Sequence, residues 1–309
     1  MASRLSSAPH PVDQVPPIGK LTVLGIQHVL AFYAGAVVVP LVIASGLRLD
    51  NHTLVHLINA DLLTCGIATI IQSAGIGRFI GVKLPLIQGV TFTAVSPLIA
   101  IGAAATPPGA DPTTGLATMY GSIIAVGLIV FLVAPFFAKL LRFFPPIVTG
   151  TLLTVMGTTL LSVSAGDIVA WADRASDDAA KATATFEALA FAFGTIAIIV
   201  IIQRLFKGFM GTLSVLLALL IMTAVAFAMG KTDFSGVGEA TWLGITTPFY
   251  FGIPKFSLTA IFAMIIVMAV TAVETTGDVF ATGEVVGKRI TPRDIANALR
   301  ADGLSTLLG

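Results

Sequence analysis

Between residues 20 and 282 the chain is a succession of apolar stretches, each about twenty residues long or more, separated by polar turns and two longer polar loops. An α-helix of that length crosses the roughly 30 Å hydrocarbon core of a bilayer. Lipid offers no hydrogen bonds to a bare backbone, so apolar segments of this length are read as helices that satisfy their own amides. The runs predict spans at 20–46, 54–74, 84–103, 116–138, 145–164, 186–205, 209–229 and 256–282, with a ninth opening near Asp294. Composition agrees: 56% of residues are hydrophobic and 11% charged, against about 45–50% and 25% in soluble domains. The expected class is an all-α polytopic membrane protein.

Residues 1–19 carry Pro9, Pro11, Pro16 and Pro17 and lack the apolar segment of a signal peptide. They read as a disordered cytoplasmic tail. Twelve of the 17 Lys and Arg residues fall on the face that holds the N-terminus, which places that face in the cytoplasm by the positive-inside rule. With 16 acidic residues against those 17 basic ones, no nucleic-acid footprint is indicated. The single Cys65 allows no intrachain disulfide and reads as a small buried side chain. Seven spans precede the eighth, so a second repeat beginning there enters the membrane with opposite orientation, the topology of inverted-repeat transporters.

Two segments break the apolar pattern. Glu274 follows the run Leu258–Val273, and Asp278 lies one helical turn further on the same face. An acid at membrane depth costs about 2.5–3.5 kcal/mol on insertion scales, so it is expected to face a cavity, a partner or a proton. Counted at about 1.5 Å per residue from Phe256, Glu274 falls near the inner edge of the bilayer unless its helix is tilted or runs on to about Gly287. The other reading is a constitutively ionised structural acid. His28, eight residues into the first span, reads either as a hydrogen-bonded tether between helices or as a titrating group. Asp61 in the second span is expected to point inward, whereas His52 and His56 sit at its wet end.

The third span is the second exception. Pro85 and Pro97 bracket Gln88, Gly89, Thr91 and Thr93, and Val90–Val95 suits a strand as well as a helix. A broken element holding a short strand is one reading, and a proline-kinked helix with no ligand role is the other. Irregular backbone at membrane depth is tolerated where it lines a cavity or is buried in protein. Phe92, a flat aromatic beside such a break, suits a planar hydrogen-bonding solute.

Four segments together resemble the nucleobase–cation symporter-2 family, also called nucleobase–ascorbate transporters: Gln27–Pro40, Gly89–Phe92, Phe144–Gly150, and Val273–Asp278 followed by Asp302–Thr306. The acidic motif is most similar to that of the xanthine and uric acid permeases. The resemblance implies secondary active transport of a purine base, xanthine or uric acid, by proton symport, with no cofactor beyond the coupling proton. It implies fourteen spans in two inverted seven-helix repeats, of which this chain holds the first and the start of the second. Core-domain spans 1–4 would occupy 20–138, gate-domain spans 5–7 would occupy 139–230, and 231–309 would carry core span 8 and the start of span 9. It further implies that Glu274 accepts hydrogen bonds from the base, that Phe92 stacks on it and that Gly35 borders the site through its backbone. Thr91 completes the substrate-binding set. Asp278, His28 and Asp302 would serve coupling or site organisation. The partners implied are a nucleobase and the lipid bilayer, with a homodimer among the oligomeric states left open.

The chain stops at Gly309, inside span nine, so a tenth span is not part of it, and the 309-residue chain alone is not expected to transport. Competing functions are an anion carrier or exchanger of the same architecture, which would favour a cation beside the broken spans, and a uracil-type carrier. A membrane enzyme is disfavoured, because no metal-ligand cluster, nucleophile elbow or phosphate loop occurs in the sequence.

Overall fold

The computed structural model describes residues 10–140, 146–172, 178–232, 234–239 and 246–308. Most of them are helical, and none belongs to a β-sheet. The helices are α1 (Ile18–Leu47), α2 (Asn51–Ala74), α3 (Val95–Ala105), α4 (Leu116–Leu140), α5 (Pro146–Ala172), α6 (Asp178–Leu205), α7 (Phe209–Thr212), α8 (Ser214–Ala228), α9 (Leu258–Val286) and α10 (Pro292–Leu308). Five helical stretches among the described residues are long and apolar enough to cross a membrane: Ile18–Leu47, Asn51–Ala74, Pro112–Phe137, Lys181–Leu205 and Leu258–Val286. Their outer faces carry large apolar side chains such as Phe193 (67% exposed) and Phe262 (66% exposed), which is stable against lipid and costly against water.

Residues 1–9 of the expected tail, and Phe144 and Pro145 of the third motif, lie outside the described residues. Pro11–Asp13 form a short 3-10 turn, and α1 begins at Ile18. The seventh span, expected as one helix over 209–229, is divided at Leu213, whose backbone (φ −81°, ψ 3°) leaves the helical region. The Leu213 N–H still bonds the Phe209 carbonyl at 3.1 Å and the Leu217 N–H the Leu213 carbonyl at 2.9 Å, so α7 and α8 form one kinked rod. α6 and α8 lie side by side, tied by Gln203 Nε2 donating to Ser214 Oγ (3.0 Å) at one end and by the Lys231–Glu187 ion pair (2.9 Å) at the other.

The helices that hold the acids pack around two apolar cores. One joins Val39, Ile43 and Leu47 of α1 to Val95 and Leu98 of α3, Met119 and Val126 of α4, and Met264, Val267 and Met268 of α9. The other joins Val82 and Leu84 to Ala134 of α4, Ala272 and Val279 of α9, and Ile295, Ala298 and Leu299 of α10. Among the described residues α4 and α10 make the most extensive helix pairing, and glycine is the reason. A Cβ placed on Gly303 would sit 2.5 Å from the Phe131 amide nitrogen and 2.8 Å from the Gly127 carbonyl oxygen. Only small residues let two backbones approach this closely.

α9 answers the question of depth. It continues to Val286 and ends on Gly287 in the left-handed region (φ 73°), with the Lys288 N–H bonding the Gly283 carbonyl at 2.8 Å. Glu274 is therefore sixteen residues from the start of the helix and twelve from its end, close to the middle of a 29-residue span.

Candidate functional site

The third span is interrupted where its prolines suggest. After α2 the chain turns through Gly75–Gly81, runs in irregular backbone over 82–91, makes one 3-10 turn at Phe92–Ala94, and only then enters α3. Its two ends are anchored in different cores: Val82 and Leu84 in the second, Val95 in the first, with Phe92 packed against the first. No strand forms over Val90–Val95. A strand needs a partner, and among the described residues no other extended segment lies alongside to supply one.

A polar face of α2 stands in for that partner. Thr69, Gln72 and Ser73, at helical spacing i, i+3, i+4, share one face. Gln72 Oε1 accepts from the Val82 N–H (3.2 Å), and its carbonyl accepts from the Lys83 N–H (3.1 Å). Ser73 Oγ donates to the Leu86 carbonyl (2.8 Å), and Thr69 Oγ1 accepts from the Gln88 N–H (3.0 Å). Backbone that a helix would have satisfied internally is thus held from the side, as membrane depth demands. The Gly89 N–H takes no hydrogen-bond partner among the described residues. Gly89 also packs so tightly on α1 that a Cβ there would collide with the Phe32 ring.

The end of the break meets Glu274. Thr91 Oγ1 lies 3.2 Å from Glu274 Oε2, and Thr93 Oγ1 lies 3.1 Å from Oε1, so one threonine addresses each carboxyl oxygen. The two hydroxyls are 3.0 Å apart, and the Thr93 N–H donates to Thr91 Oγ1 at 3.2 Å. The interrupted backbone is what makes this possible. In a helix, residues two apart point away from each other, whereas the extended Thr91 (φ −92°, ψ 136°) leading into the 3-10 turn turns both hydroxyls to one side.

Of the residues expected at the site, the structure brings Thr91 and Glu274 into hydrogen-bond contact and sets Phe92 between the two threonines. Gly35 lies on α1 one turn beyond Phe32, with open space where a side chain would be. Asp278 is exposed, one turn beyond Glu274. His28, one turn before Phe32, is exposed and takes no hydrogen bond from the described residues. Asp302 is separate from the threonine pair: it is 6% exposed, its Oδ1 accepts from Gln72 Nε2 at 3.4 Å, and the Thr275 and Gln88 side chains also address its carboxyl. Gln72 thereby links Asp302 to the start of the break, since its Oε1 holds the Val82 amide. Asp61 is part-buried and accepts a weak contact from Cys65 Sγ at 3.5 Å, and Cys65 is 5% exposed. His56, expected simply to be wet, stacks on Tyr250 with ring centroids 3.9 Å apart, while His52 is exposed.

The family model described as the permease family (Xan_ur_permease) matches residues 19–309. The chain belongs to that family, the nucleobase–cation symporter-2 permeases. It is 43% identical over 291 residues to a xanthine permease of Bacillus subtilis (strain 168), covering 94% of this chain and 63% of the relative. It is 41% identical over 290 residues to the uric acid permease PucK of the same organism, covering 94% and 64%. It is 39% identical over 298 residues to the uric acid transporter UacT of Escherichia coli (strain K12), covering 96% and 59%. The chain thus spans about three fifths of the length of these relatives. Family membership and the apolar helices together make it a multi-pass membrane protein.

Three residues at this site, Thr69, Gln72 and Ser73, do not stand out in the sequence, and Thr93 stands out there as part of the break without a place in the substrate-binding set. For α2 a signal existed, because three polar side chains at i, i+3, i+4 in an apolar span mark one face that needs a polar neighbour. Thr93 carried none beyond its place inside the break.

Proposed function

We propose that the full-length permease carries a purine base, xanthine or uric acid, across the plasma membrane by proton symport, with its N-terminus in the cytoplasm. The observation that carries this reading is the pair of threonine hydroxyls from the interrupted third span, one on each oxygen of Glu274. The names of the relatives supply the substrate class. A purine dione is flat and rich in N–H donors, so a carboxylate acceptor, the free Gly89 amide and the Phe92 face form a chemically suitable cradle. In this reading Gly35 keeps the α1 side of the cradle open, and Asp278, His28 and Asp302 organise the site or relay the proton.

The hydroxyl geometry supports a role for the proton. With Glu274 ionised, both threonines turn their single hydrogens to the carboxylate, and their own 3.0 Å contact holds none. With Glu274 protonated, its O–H donates to Thr91, Thr91 to Thr93, and Thr93 back to the other oxygen, so each of the three contacts carries one hydrogen. Substrate N–H groups need the ionised carboxylate, so the proton that Glu274 holds in the empty site passes to Asp278, His28 or Asp302 as the base binds, and proton and base cross together. Binding and protonation are thereby linked through one side chain.

In the same reading, α1–α4 with α9 and α10 form the core domain and α5–α8 the gate domain, and the second repeat is inverted relative to the first. Residues 82–91 take up strand pairing against the matching break of that repeat. The test is uptake of radiolabelled xanthine and urate by the full-length gene in a strain lacking its own permeases, across a pH series, with Glu274→Gln beside wild type. Loss of uptake in the variant is expected. Uptake with an unaltered pH profile would remove Glu274 from both binding and coupling.

A further inference from the structure

A second site lies away from Glu274, where α2 and α9 end. The turn Gly75–Gly81 and the loop after Gly287 face one another across a cavity of about 450 Å³, lined by Gly77, Arg78, Gly81, Val82, Lys83, Lys288, Arg293, Asp294 and Asn297. α10 holds the turn in place: the Gly81 N–H donates to the Asn297 carbonyl (3.0 Å), Asn297 Nδ2 to the Arg78 carbonyl (3.3 Å), and Arg300 Nη1 to the Phe79 carbonyl (3.3 Å). Backbone segments more than two hundred residues apart are therefore joined before any ligand arrives.

The lining is cationic in excess of what the fold uses. Arg78, Lys83, Lys288 and Arg293 surround the cavity, and none makes an ion pair with a described carboxylate. The one acid, Asp294, is engaged elsewhere, with Oδ2 accepting from the Thr291 amide (2.9 Å) and hydroxyl (2.6 Å) in the cap of α10. The C-terminal dipoles of α2 and α9 attract cations here, but each amounts to about half a charge, so two ends leave most of four positive charges unbalanced. Their mutual repulsion is relieved by an anion with several acceptor oxygens.

We infer that this cavity binds a phosphate-bearing anion. Its position favours the headgroup of an anionic lipid as the source. Two apolar spans, Asn51–Ala74 and Leu258–Val286, terminate at the cavity, which sets it at headgroup depth. Phe79, 62% exposed with Arg293 5.9 Å above its ring, and Ile76, 50% exposed, give it an apolar rim suited to acyl chains. Basic pockets between spans take lipid phosphates on these terms.

The experiment uses the full-length protein, purified in neutral detergent and stripped of lipid. Binding of phosphatidylglycerol and of phosphatidylcholine is followed by native mass spectrometry, and inorganic phosphate by thermal shift. Wild type is compared with the Lys288→Gln/Arg293→Gln double variant, with Lys288→Gln alone in case the double variant misfolds, and with Arg204→Gln/Lys207→Gln, which removes equal charge elsewhere. Wild type is expected to prefer phosphatidylglycerol, with binding about thirtyfold weaker in the pocket double variant, from the worth of two basic residues at an anionic surface. The Arg204/Lys207 variant is expected to match wild type. A shift with inorganic phosphate that the pocket variants abolish supports the site and makes free phosphate the source. Equal retention of both lipids, no phosphate response, or equal loss in the Arg204/Lys207 variant overturns the inference.

Discussion

Thr93→Val isolates the contact on which the site's geometry turns. Valine keeps the size and branching of threonine but removes the hydroxyl that lies 3.1 Å from Glu274 Oε1 and 3.0 Å from Thr91 Oγ1. A hydrogen bond to an ionised group is worth about 1.5–3 kcal/mol, which corresponds to about 10- to 150-fold in an equilibrium or rate. If Thr93 aims the carboxylate, kcat/KM for xanthine uptake by the full-length gene falls by that factor, and Thr93→Ser, which restores the hydroxyl, recovers most of it. A purely packing role makes the opposite forecast, with valine tolerated and serine impaired by its missing methyl. Initial-rate uptake in a permease-deficient strain, normalised to protein in the membrane, separates the two. Valine uptake within twofold of wild type at every pH would refute the reasoning.

Other outcomes follow from the packing. Gly303→Val forces a branched side chain into the backbone contact with Phe131 and Gly127; overpacking predicts a loss of about 1–3 kcal/mol, seen as a lower melting temperature in detergent. Gln72→Leu leaves the Val82 amide without its partner and takes one donor from the Asp302 carboxyl, which costs about 1–3 kcal/mol for the stranded amide and should hasten proteolysis within 82–91. At the start of α2, the Thr53 hydroxyl and the amides of Thr53 and His52 hold the Asp50 carboxyl below the usual carboxylate range. Because that value is depressed in the folded state, the cap's contribution is complete above about pH 4 and fades as pH falls through the folded value. Asp50→Asn should flatten that limb of a melting-temperature profile against pH.

The span positions were legible because lipid imposes one strict rule, an apolar run of fixed minimum length, and α1, α2, α4 and α9 obey it within a few residues. The interruption of the third span was legible from Pro85 and Pro97, which cannot both sit inside a regular helix. Its conformation was not. Whether Val90–Val95 forms a strand depends on what lies beside it, and the groups that hold the break, Thr69, Gln72 and Ser73, belong to another helix. The pairing of α4 with α10 was equally hidden, because it rests on Gly127 and Gly303, residues 176 positions apart whose small size shows only when two backbones meet. Glu274 stood out on cost alone. Its position near mid-span became evident only when α9 was seen to run on to Gly287, although that glycine is an ordinary helix-ending signal.

The central claim is that Glu274 changes its proton as substrate arrives, and infrared difference spectroscopy of the full-length protein reads this directly. On adding xanthine, the account predicts loss of a carboxylic-acid C=O band and gain of a carboxylate band in wild type, both absent in Glu274→Gln. A substrate-induced spectrum with the same carboxyl bands in wild type and variant would contradict it.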